Sequence, residues 1–276
     1  MAAAASVLCA CPLPAQRLRS FTTFRQWHSE PRLSAKLEYA AGTIRLSAGR
    51  PAELYRMEVS YDEDRFLPVS DFEASTETLA LGLRPSGDGG IRVVSRRQLH
   101  QTAVVAFSPR VDLSLDVTLG AVDADLELGG LRITDLVVAT GASQAVVRFS
   151  HPNGVRCRAA TFRSGAAELS VLGLGNSRCD LIVVEGGVGT VTLDLGGPWT
   201  SNARVRATMA MGALTLRLPR NAGVSLRTET FLSSVEPSGM ERRGARYFSR
   251  GYDQAARHVD IELTSAVGGI TIEWVE

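Results

Sequence analysis

The chain has 276 residues, of which 45% are hydrophobic and 21% charged, and its formal net charge is +1. This composition excludes a disordered chain, because enough apolar side chains are present to form a core. The near-neutral charge excludes the basic footprint of a nucleic-acid-binding protein. The 26 glycines and the scarcity of aromatic residues (6%) favour many strands with tight turns over long helices.

The chain begins with a short apolar run followed by small residues, over residues 1–16. This pattern is typical of a secretory leader, although no Lys or Arg precedes the run, and a disordered tail is the alternative for residues 1–20. Residues 8–11 (Leu-Cys-Ala-Cys) are similar to a lipoprotein cleavage site, which makes Cys11 a candidate for a lipid anchor. We therefore expect a secreted, periplasmic or outer-surface protein of a bacterial envelope. No later stretch reaches 18 uninterrupted apolar residues, so no transmembrane helix is predicted.

Residues 21–110 show apolar alternation with irregular spacing. Strands are predicted over residues 55–62 and 78–84, where apolar and polar side chains alternate. We interpret this region as an irregular N-terminal β region that either continues the architecture that follows or caps it. A stack of repeats needs atypical units to cover its exposed edges.

Residues 111–276 contain an internal repeat with a period of 21 to 24 residues. Each copy has small residues at its front and an alternating apolar strand behind them. The copies begin at Gly120, Gly141, Gly165, Gly187, Ala210 and Ala266, and a more distant copy begins at Ala40. The last interval is 56 residues long, so we expect it to hold an inserted loop at about 229–257.

The repeat predicts an all-β, single-chain solenoid of stacked rungs. One rung cannot bury its own apolar face, whereas stacked rungs share a core. Because side chains alternate along a strand, Val191, Leu193 and Leu195 should share the buried face. Glycines near the start of each strand should supply the positive φ values needed at rung corners. A β-sandwich is the alternative, since it also has strands at regular spacing.

Two cysteines fall at equivalent positions of the repeat. Cys157 and Cys179 each lie eight residues before the glycine that opens the next copy, Gly165 and Gly187. They should therefore be direct neighbours on successive rungs, within the Cα range of a disulfide. In-register parallel neighbours rarely have suitable side-chain geometry, so a ladder of buried thiols is favoured. A disulfide is the alternative, which an oxidising compartment would favour.

Three phrases in the second half of the chain carry a family resemblance: LDLGGPW at 193–199, LRLP at 216–219 followed by GV, and GYDQA at 251–255. With them, roughly residues 110–276 resemble the toast-rack β-solenoid domain of LiaF-type cell-wall-active antibiotic response proteins and related adhesin-like envelope proteins. The resemblance implies a β-solenoid, no known catalytic residues and an envelope-associated role. In membrane-bound members it also implies a link to sensing envelope stress, and this chain departs from them because it has no predicted membrane helix.

No residue pattern predicts catalysis, a cofactor or a metal site. The four histidines lack the spacing of zinc ligands. Stacked carboxylates can bind calcium or serve a lyase, but the densest acidic group alternates with apolar residues, as the solvent face of a strand does. Its members are Asp112, Asp116, Asp123 and Asp125.

The inserted segment is rich in arginine and aromatic residues, which are enriched at protein contacts. We predict that it forms an interaction loop. The alternative is that its rings pack the loop back over the edge of the solenoid. The candidate residues are Arg242, Arg243, Arg246, Tyr247, Phe248, Arg250 and Tyr252.

These features predict a non-enzymatic, envelope-associated scaffold or interaction protein, with a link to the cell-wall stress response as a further hypothesis. Its partner would be another envelope protein or a polysaccharide, because stacked rungs offer a long rigid surface. The alternative is a carbohydrate-binding or carbohydrate-active secreted β-helix protein, and such an enzyme would need carboxylates converging on one face.

Overall fold

The structure, a computed structural model, describes residues 18–87, 100–232, 235 and 237–275. Cys11 and residues 1–17 of the expected leader lie outside the described residues, and residues 18–20 belong to the first strand. The described residues form sixteen strands of one continuous sheet. The strands are β1 (Leu18–Gln26), β2 (Arg32–Ala48), β3 (Glu53–Asp62), β4 (Phe66–Glu73), β5 (Thr78–Pro85), β6 (Thr102–Phe107), β7 (Asp112–Glu127), β8 (Ile133–Thr140), β9 (Gln144–Arg148), β10 (Cys157–Leu172), β11 (Cys179–Asp194), β12 (Ala203–Pro219), β13 (Gly223–Leu232), β14 (Met240–Arg243), β15 (Arg246–Ser249) and β16 (His258–Val275). Short 3₁₀ helices lie at Leu174–Ser177 and Tyr252–Gln254.

The centre of the molecule is a stack of parallel strands in the order β2, β7, β8 with β9, β10, β11, β12 and β16. Val188 of β11 pairs with Met211 of β12, and Met211 pairs with Val267 of β16. These steps equal the sequence intervals of 23 and 56 residues between the predicted copies. The predicted solenoid and its register are therefore confirmed, and the parallel pairing distinguishes the fold from an antiparallel β-sandwich.

Each long strand bends in its middle, and the bend reverses which alternate residues are buried. In β12 the buried side chains have odd numbers up to Met209 and even numbers from Leu214 to Leu218. The same change occurs in β2 and β7. Because alternate residues of a strand point to opposite faces, the change of parity lets both halves of a bent strand direct apolar side chains into one core.

The bend requires glycine where neighbouring rungs approach each other most closely. Gly212 and Gly268 have φ values of 133° and 142°, a region that favours glycine. A Cβ atom at Gly268 would lie 1.7 Å from the carbonyl oxygen of Gly212, and one at Gly212 would lie 1.9 Å from that of Gly189. Conformation and stacking distance thus both select glycine at these positions. The predicted positive φ is found at these mid-strand glycines, whereas the glycines that open the copies, Gly120, Gly141, Gly165 and Gly187, do not have it.

The N-terminal end of the stack is closed by irregular strands. β5 and β6 pair in parallel with β2 and so extend the stack by one level, whereas β3 pairs antiparallel with β6 and with β1, and β4 pairs antiparallel with β5. The predicted strands at 55–62 and 78–84 are found in β3 and β5. The N-terminal region thus both continues the parallel stack and covers its end, and its buried residues belong to the same core cluster.

At the C-terminal end, the last strand in sequence is not the last in space. β16 lies between β12 and β13, and the described residues of β13 pair with β16 as far as Leu232 with Val267. The structure also corrects the loop expected at about 229–257. Residues 229–232 belong to β13, and a hairpin of β14 and β15 follows.

Two adjacent glycines of β16 provide a test of the stacking. We expect Gly268→Ala to lower the free energy of unfolding by about 2 kcal/mol or more, because an alanine would be strained at this φ and would meet the Gly212 carbonyl oxygen. Gly269→Ala is the matched control, since a Cβ there meets nothing within 4 Å, and should change stability by no more than about 0.5 kcal/mol. Urea denaturation measures both, and equal midpoints for the two variants would contradict the bend described here.

Candidate functional site

The arginine and aromatic residues of the inserted segment lie on a hairpin at the C-terminal end of the stack. β15 pairs antiparallel with β13 through Ser225 with Phe248 and Leu226 with Tyr247, and β14 forms the outer strand. The hairpin is therefore built on the last rung level. Hydrogen bonding also anchors it, because the Ser249 hydroxyl accepts a bond of 2.9 Å from the backbone N–H of Val224.

The three predicted contact rings pack back onto the solenoid, and Tyr247 lies partly buried against its core. Phe248 meets Tyr252 edge to face at 4.8 Å between ring centroids, and Tyr252 lies 4.6 Å from the ring of His258. The Tyr252 hydroxyl donates to Asp260 at 3.4 Å. Burial raises the pKa of the Tyr252 phenol, and the nearby Asp260 carboxylate raises it further because it disfavours a second negative charge. The packing alternative therefore describes Tyr247, Phe248 and Tyr252.

Two of the arginines are held by partners within the chain. Arg243 forms ion pairs with Asp253 at 2.9 Å and with Glu241 at 3.5 Å. The hydrogen bond to Asp253 is the main reason that the pKa of the Arg243 guanidinium is raised. Arg246 donates to the Ser225 hydroxyl at 3.2 Å and lies 3.5 Å from Glu262. Arg246 thus links the hairpin to β13 and β16, whereas Arg243 links it to the 3₁₀ helix that follows.

Arg242 and Arg250 differ from these two arginines. Both are exposed, and among the described residues neither forms an ion pair with a carboxylate. Arg242 donates to the Gly244 carbonyl at 3.2 Å and lies 6.0 Å from the ring of Tyr247. They are thus the predicted arginines whose charge remains available to a partner.

A pocket of about 420 Å³ opens beside Arg250 between the hairpin and the end of β16. The Trp274 indole forms one wall and is fixed by donating to the Ser238 carbonyl at 2.8 Å. Arg220 also lines the pocket, with its guanidinium 5.9 Å from the centroid of the Trp274 ring. Sequence reasoning missed Arg220 and Trp274, because they are distant in sequence from the arginine-rich segment and meet it only through the strand order.

A column of exposed apolar side chains also reaches this end of the stack. Three of its members directly follow the small residue that opens a repeat copy, and a fourth, in β13, pairs with one of these three. The alignment of the copies could have revealed the column, although the sequence alone did not show that this corner faces solvent. Contiguous exposed apolar surface marks interaction sites in soluble proteins. Its members, with their exposed fractions, are Val188 (54%), Met211 (52%), Val267 (38%) and Leu232 (66%), and Phe231 (81%) lies beside the last of them.

Acidic side chains on the outer faces mostly pair with arginines of neighbouring rungs, so they link rungs rather than converge on a groove. Asp112 and Asp125, from the acidic group considered as a calcium or lyase site, are both held in this way. Among the described residues, no three His, Cys, Asp or Glu side chains are arranged to hold a metal ion. The inter-rung pairs are Arg132–Asp112, Arg148–Asp125, Arg158–Asp135, Arg156–Asp180, Arg163–Glu185, Arg206–Glu262 and Arg217–Glu273.

Cys157 and Cys179 are paired neighbours of β10 and β11, as their repeat positions predicted. Their Cα atoms are 4.2 Å apart, and the two sulfur atoms are bonded. Both residues are buried, at 0% and 1% exposed. The structure therefore contains the disulfide rather than the favoured thiol ladder, because the local backbone brings the two side chains closer than regular parallel pairing does.

The disulfide gives a direct prediction. In a background with Cys9→Ser and Cys11→Ser, a thiol reagent added in denaturant should label no cysteine before reduction and both cysteines after it. Replacing Cys157 and Cys179 together by Ala should lower the free energy of unfolding by about 3 kcal/mol, since the bond closes a loop spanning 22 residues. Labelling of both cysteines before reduction would show that they are free thiols, and it would contradict the disulfide.

No helix of the described chain is long and apolar enough to span a membrane.

Comparison with solved structures shows where this fold has been seen before. A protein from Clostridium sporogenes described as a candidate cell adhesion protein is 14% identical, with a TM-score of 0.50 over 94% of this chain and 100% of that one. A candidate adhesin from Bacteroides fragilis is 13% identical, with a TM-score of 0.44 over 94% of this chain and 98% of that one. The first of these likenesses shows that the fold is shared.

A comparison with curated proteins found no match. Among protein families, the one described as the N-terminal domain of toast_rack, DUF2154, matches residues 21–172. The match covers more than half of the chain and spans both the irregular N-terminal strands and the first rungs of the regular repeat. This chain therefore belongs to the toast-rack family, through its N-terminal domain.

Proposed function

We propose that the protein is a non-enzymatic, envelope-associated scaffold that binds another envelope protein or a polysaccharide through the C-terminal end of its solenoid. The observation that carries the proposal is a set of arginine and apolar side chains at that end that are available for contact with a partner. Arg220, Arg242 and Arg250 have no carboxylate partner among the described residues, and they lie on the same end as the exposed Phe231 and Leu232.

Several physical features support a binding role at this end. Arginine and aromatic side chains are enriched at contact sites, and the stack beneath them is a rigid parallel sheet with a continuous core. A rigid support reduces the entropy lost on binding, because few side chains need to be ordered. A glycosidase would need carboxylates that converge on its substrate, whereas Asp112 and Asp125 are held in ion pairs between rungs. The description of the Clostridium sporogenes structure as a candidate cell adhesion protein is in keeping with surface binding.

The envelope location belongs to the same proposal. It is supported by the apolar start of the sequence, by the toast-rack family and by the disulfide, since disulfides persist in oxidising compartments. More specifically, the proposal includes a lipid anchor at Cys11 and a link to the cell-wall stress response. Cell fractionation with mass analysis of the mature N-terminus tests the location. Recovery of the unprocessed chain in the cytosol would contradict it.

Photocrosslinking tests the binding surface directly. We would replace Phe231 by p-benzoylphenylalanine in the bacterium that encodes the protein, and irradiate living cells. Phe24 in β1 is the matched control, because it is an exposed phenylalanine (51%) at the opposite end of the stack. We expect a higher-mass adduct in the envelope fraction from position 231 and none from position 24. Equal adducts from both positions, or none from either, would contradict a specific C-terminal binding end.

A further inference from the structure

The bend in the middle of the later rungs carries side chains larger than the fold requires. Four residues that pair in turn from β11 to β13 form this corner ridge: Val188, Met211, Val267 and Leu232. The same position of the preceding rung holds Ala166, which pairs with Val188 and is also exposed. Alanine is therefore sufficient to form the corner. Each of the larger side chains is more than a third exposed, so another surface is needed to cover them.

The exposure of the ridge is a property of the corner and not of the end of the stack. Val188 lies between Ala166 and Met211, and Met211 lies between Val188 and Val267, so both have a described neighbour on each side. Their exposed fractions are nevertheless 54% and 52%. The two halves of each bent strand direct their alternate side chains into the core, so the residue at the bend points outward. The ridge is therefore a convex line on the surface.

A shallow groove lies directly beside the ridge. Its volume is about 480 Å³, and its lining includes the residues that precede three of the ridge members, namely Ala210, Ala266 and Phe231. The two alanines are exposed and small, so they leave space above them. The Phe231 ring is 81% exposed and borders the groove on the last rung. The same corner thus presents an apolar ridge and a groove of small side chains next to each other.

A ridge beside a groove makes this surface complementary to a second copy of itself. In a two-fold symmetric dimer, each surface contacts the same surface of the other copy. A two-fold axis that runs along the stack, between ridge and groove, places the ridge of each copy in the groove of the other. Such an axis keeps every rung at its own level, so the two stacks lie side by side and parallel.

The charges near the ridge are compatible with this symmetry. Close to a two-fold axis each group meets its own copy, so a charged residue there would be repelled. The corner residues of three successive rungs, 187–189, 210–212 and 266–268, consist only of Gly, Ala, Val and Met. The acidic residue of the groove lining, Glu229, is held by Arg227 of its own chain at 2.8 Å. These neutral corners also supply none of the cationic side chains that bind an anionic membrane, which favours a second copy as the occupant.

We propose that the protein associates with a second copy of itself through the corner ridge and the groove beside it, with the two stacks parallel. This association goes beyond the proposed function and does not depend on it. Both C-terminal ends then point the same way, so a partner with repeated sites would meet two binding ends at once. The ridge extends over roughly 14 Å, at about 4.8 Å per rung. Because this interface is small, we expect a dissociation constant of about 10–100 µM.

Sedimentation equilibrium of the full-length chain tests the dimer. We expect a monomer–dimer equilibrium that Val188→Ala, Met211→Ala and Val267→Ala together weaken at least about tenfold, because they remove apolar surface from both copies. The variant should keep its fold, since Ala166 already occupies the same position, and circular dichroism checks this. Val104→Ala is the matched control and should leave the dimer unaltered, because Val104 is an exposed strand valine (49%) near the other end of the stack.

A single introduced cysteine tests the orientation of the two copies. In a background with Cys9→Ser and Cys11→Ser, the protein with Val188→Cys should form a covalent dimer with a short bismaleimide, because parallel stacks hold position 188 of both copies at one level. Antiparallel stacks would set position 188 beside position 232. A covalent dimer from a mixture of Val188→Cys and Leu232→Cys proteins, but not from Val188→Cys alone, would overturn the parallel arrangement. The protein with Val104→Cys should remain monomeric.

Other results would overturn the association itself. One is a wild-type protein that stays monomeric up to about 500 µM, and another is equal weakening of the dimer by the ridge and control substitutions. Flotation of the wild-type protein, but not of the triple variant, with vesicles of phosphatidylglycerol and phosphatidylethanolamine would assign the ridge to a membrane.

The adducts formed from position 231 in cells separate this inference from the proposed function. Adducts of twice the chain mass alone would leave the dimer standing and remove the envelope partner. Adducts with another molecule, from a protein that is monomeric in solution, would remove the dimer and leave the proposed function standing.

Discussion

The structure depends on one constraint, which is that equivalent residues of successive rungs lie directly beside each other. Parallel in-register pairing places Val191 beside Leu214 and Leu214 beside Ile270, so most core positions form apolar columns that run from rung to rung. A rung in isolation would leave these side chains in water, and burying them is the main favourable contribution to the stack. A substitution at a buried position of one rung therefore changes the packing of the rungs on both sides of it.

The same constraint explains features that are not apolar. A bend in one rung must be repeated in the next, and at Gly212 and Gly268 the approach of neighbouring backbones leaves no room for a Cβ atom. Arginine in one rung meets Asp or Glu at a nearby position of the next, as Arg217 meets Glu273. Cys157 and Cys179 are close enough to bond because they are equivalent residues of adjacent rungs. Individually such exposed ion pairs stabilise a protein little, but each one joins two residues that in-register pairing brings close together.

The period, the strands and the register could be predicted from the sequence because they depend on local spacing and on the alternation of apolar residues. The equivalence of Cys157 with Cys179 followed from the same spacing. The bond between them did not, because it depends on side-chain positions of a fraction of an ångström. The insertion of β16 between β12 and β13 could not be predicted either, since spacing reveals which residues are equivalent but not the spatial order of strands that follow an irregular interval. For that reason Arg242 and Arg250 could be identified from the sequence. The pocket at the same end of the stack could not, and neither could Arg220 and Trp274, which line it.

Residue-resolved amide hydrogen exchange tests the in-register stacking of the rungs most directly. The amides of Val259, Ile261 and Leu263 and of the residues between them should all exchange slowly, because this part of β16 pairs with β12 on one side and with β13 on the other. The amides of Leu214 and Leu216, between β11 and β16, should exchange slowly as well. Fast exchange at alternate amides of 259–263 would contradict the placement of β16 between two rungs.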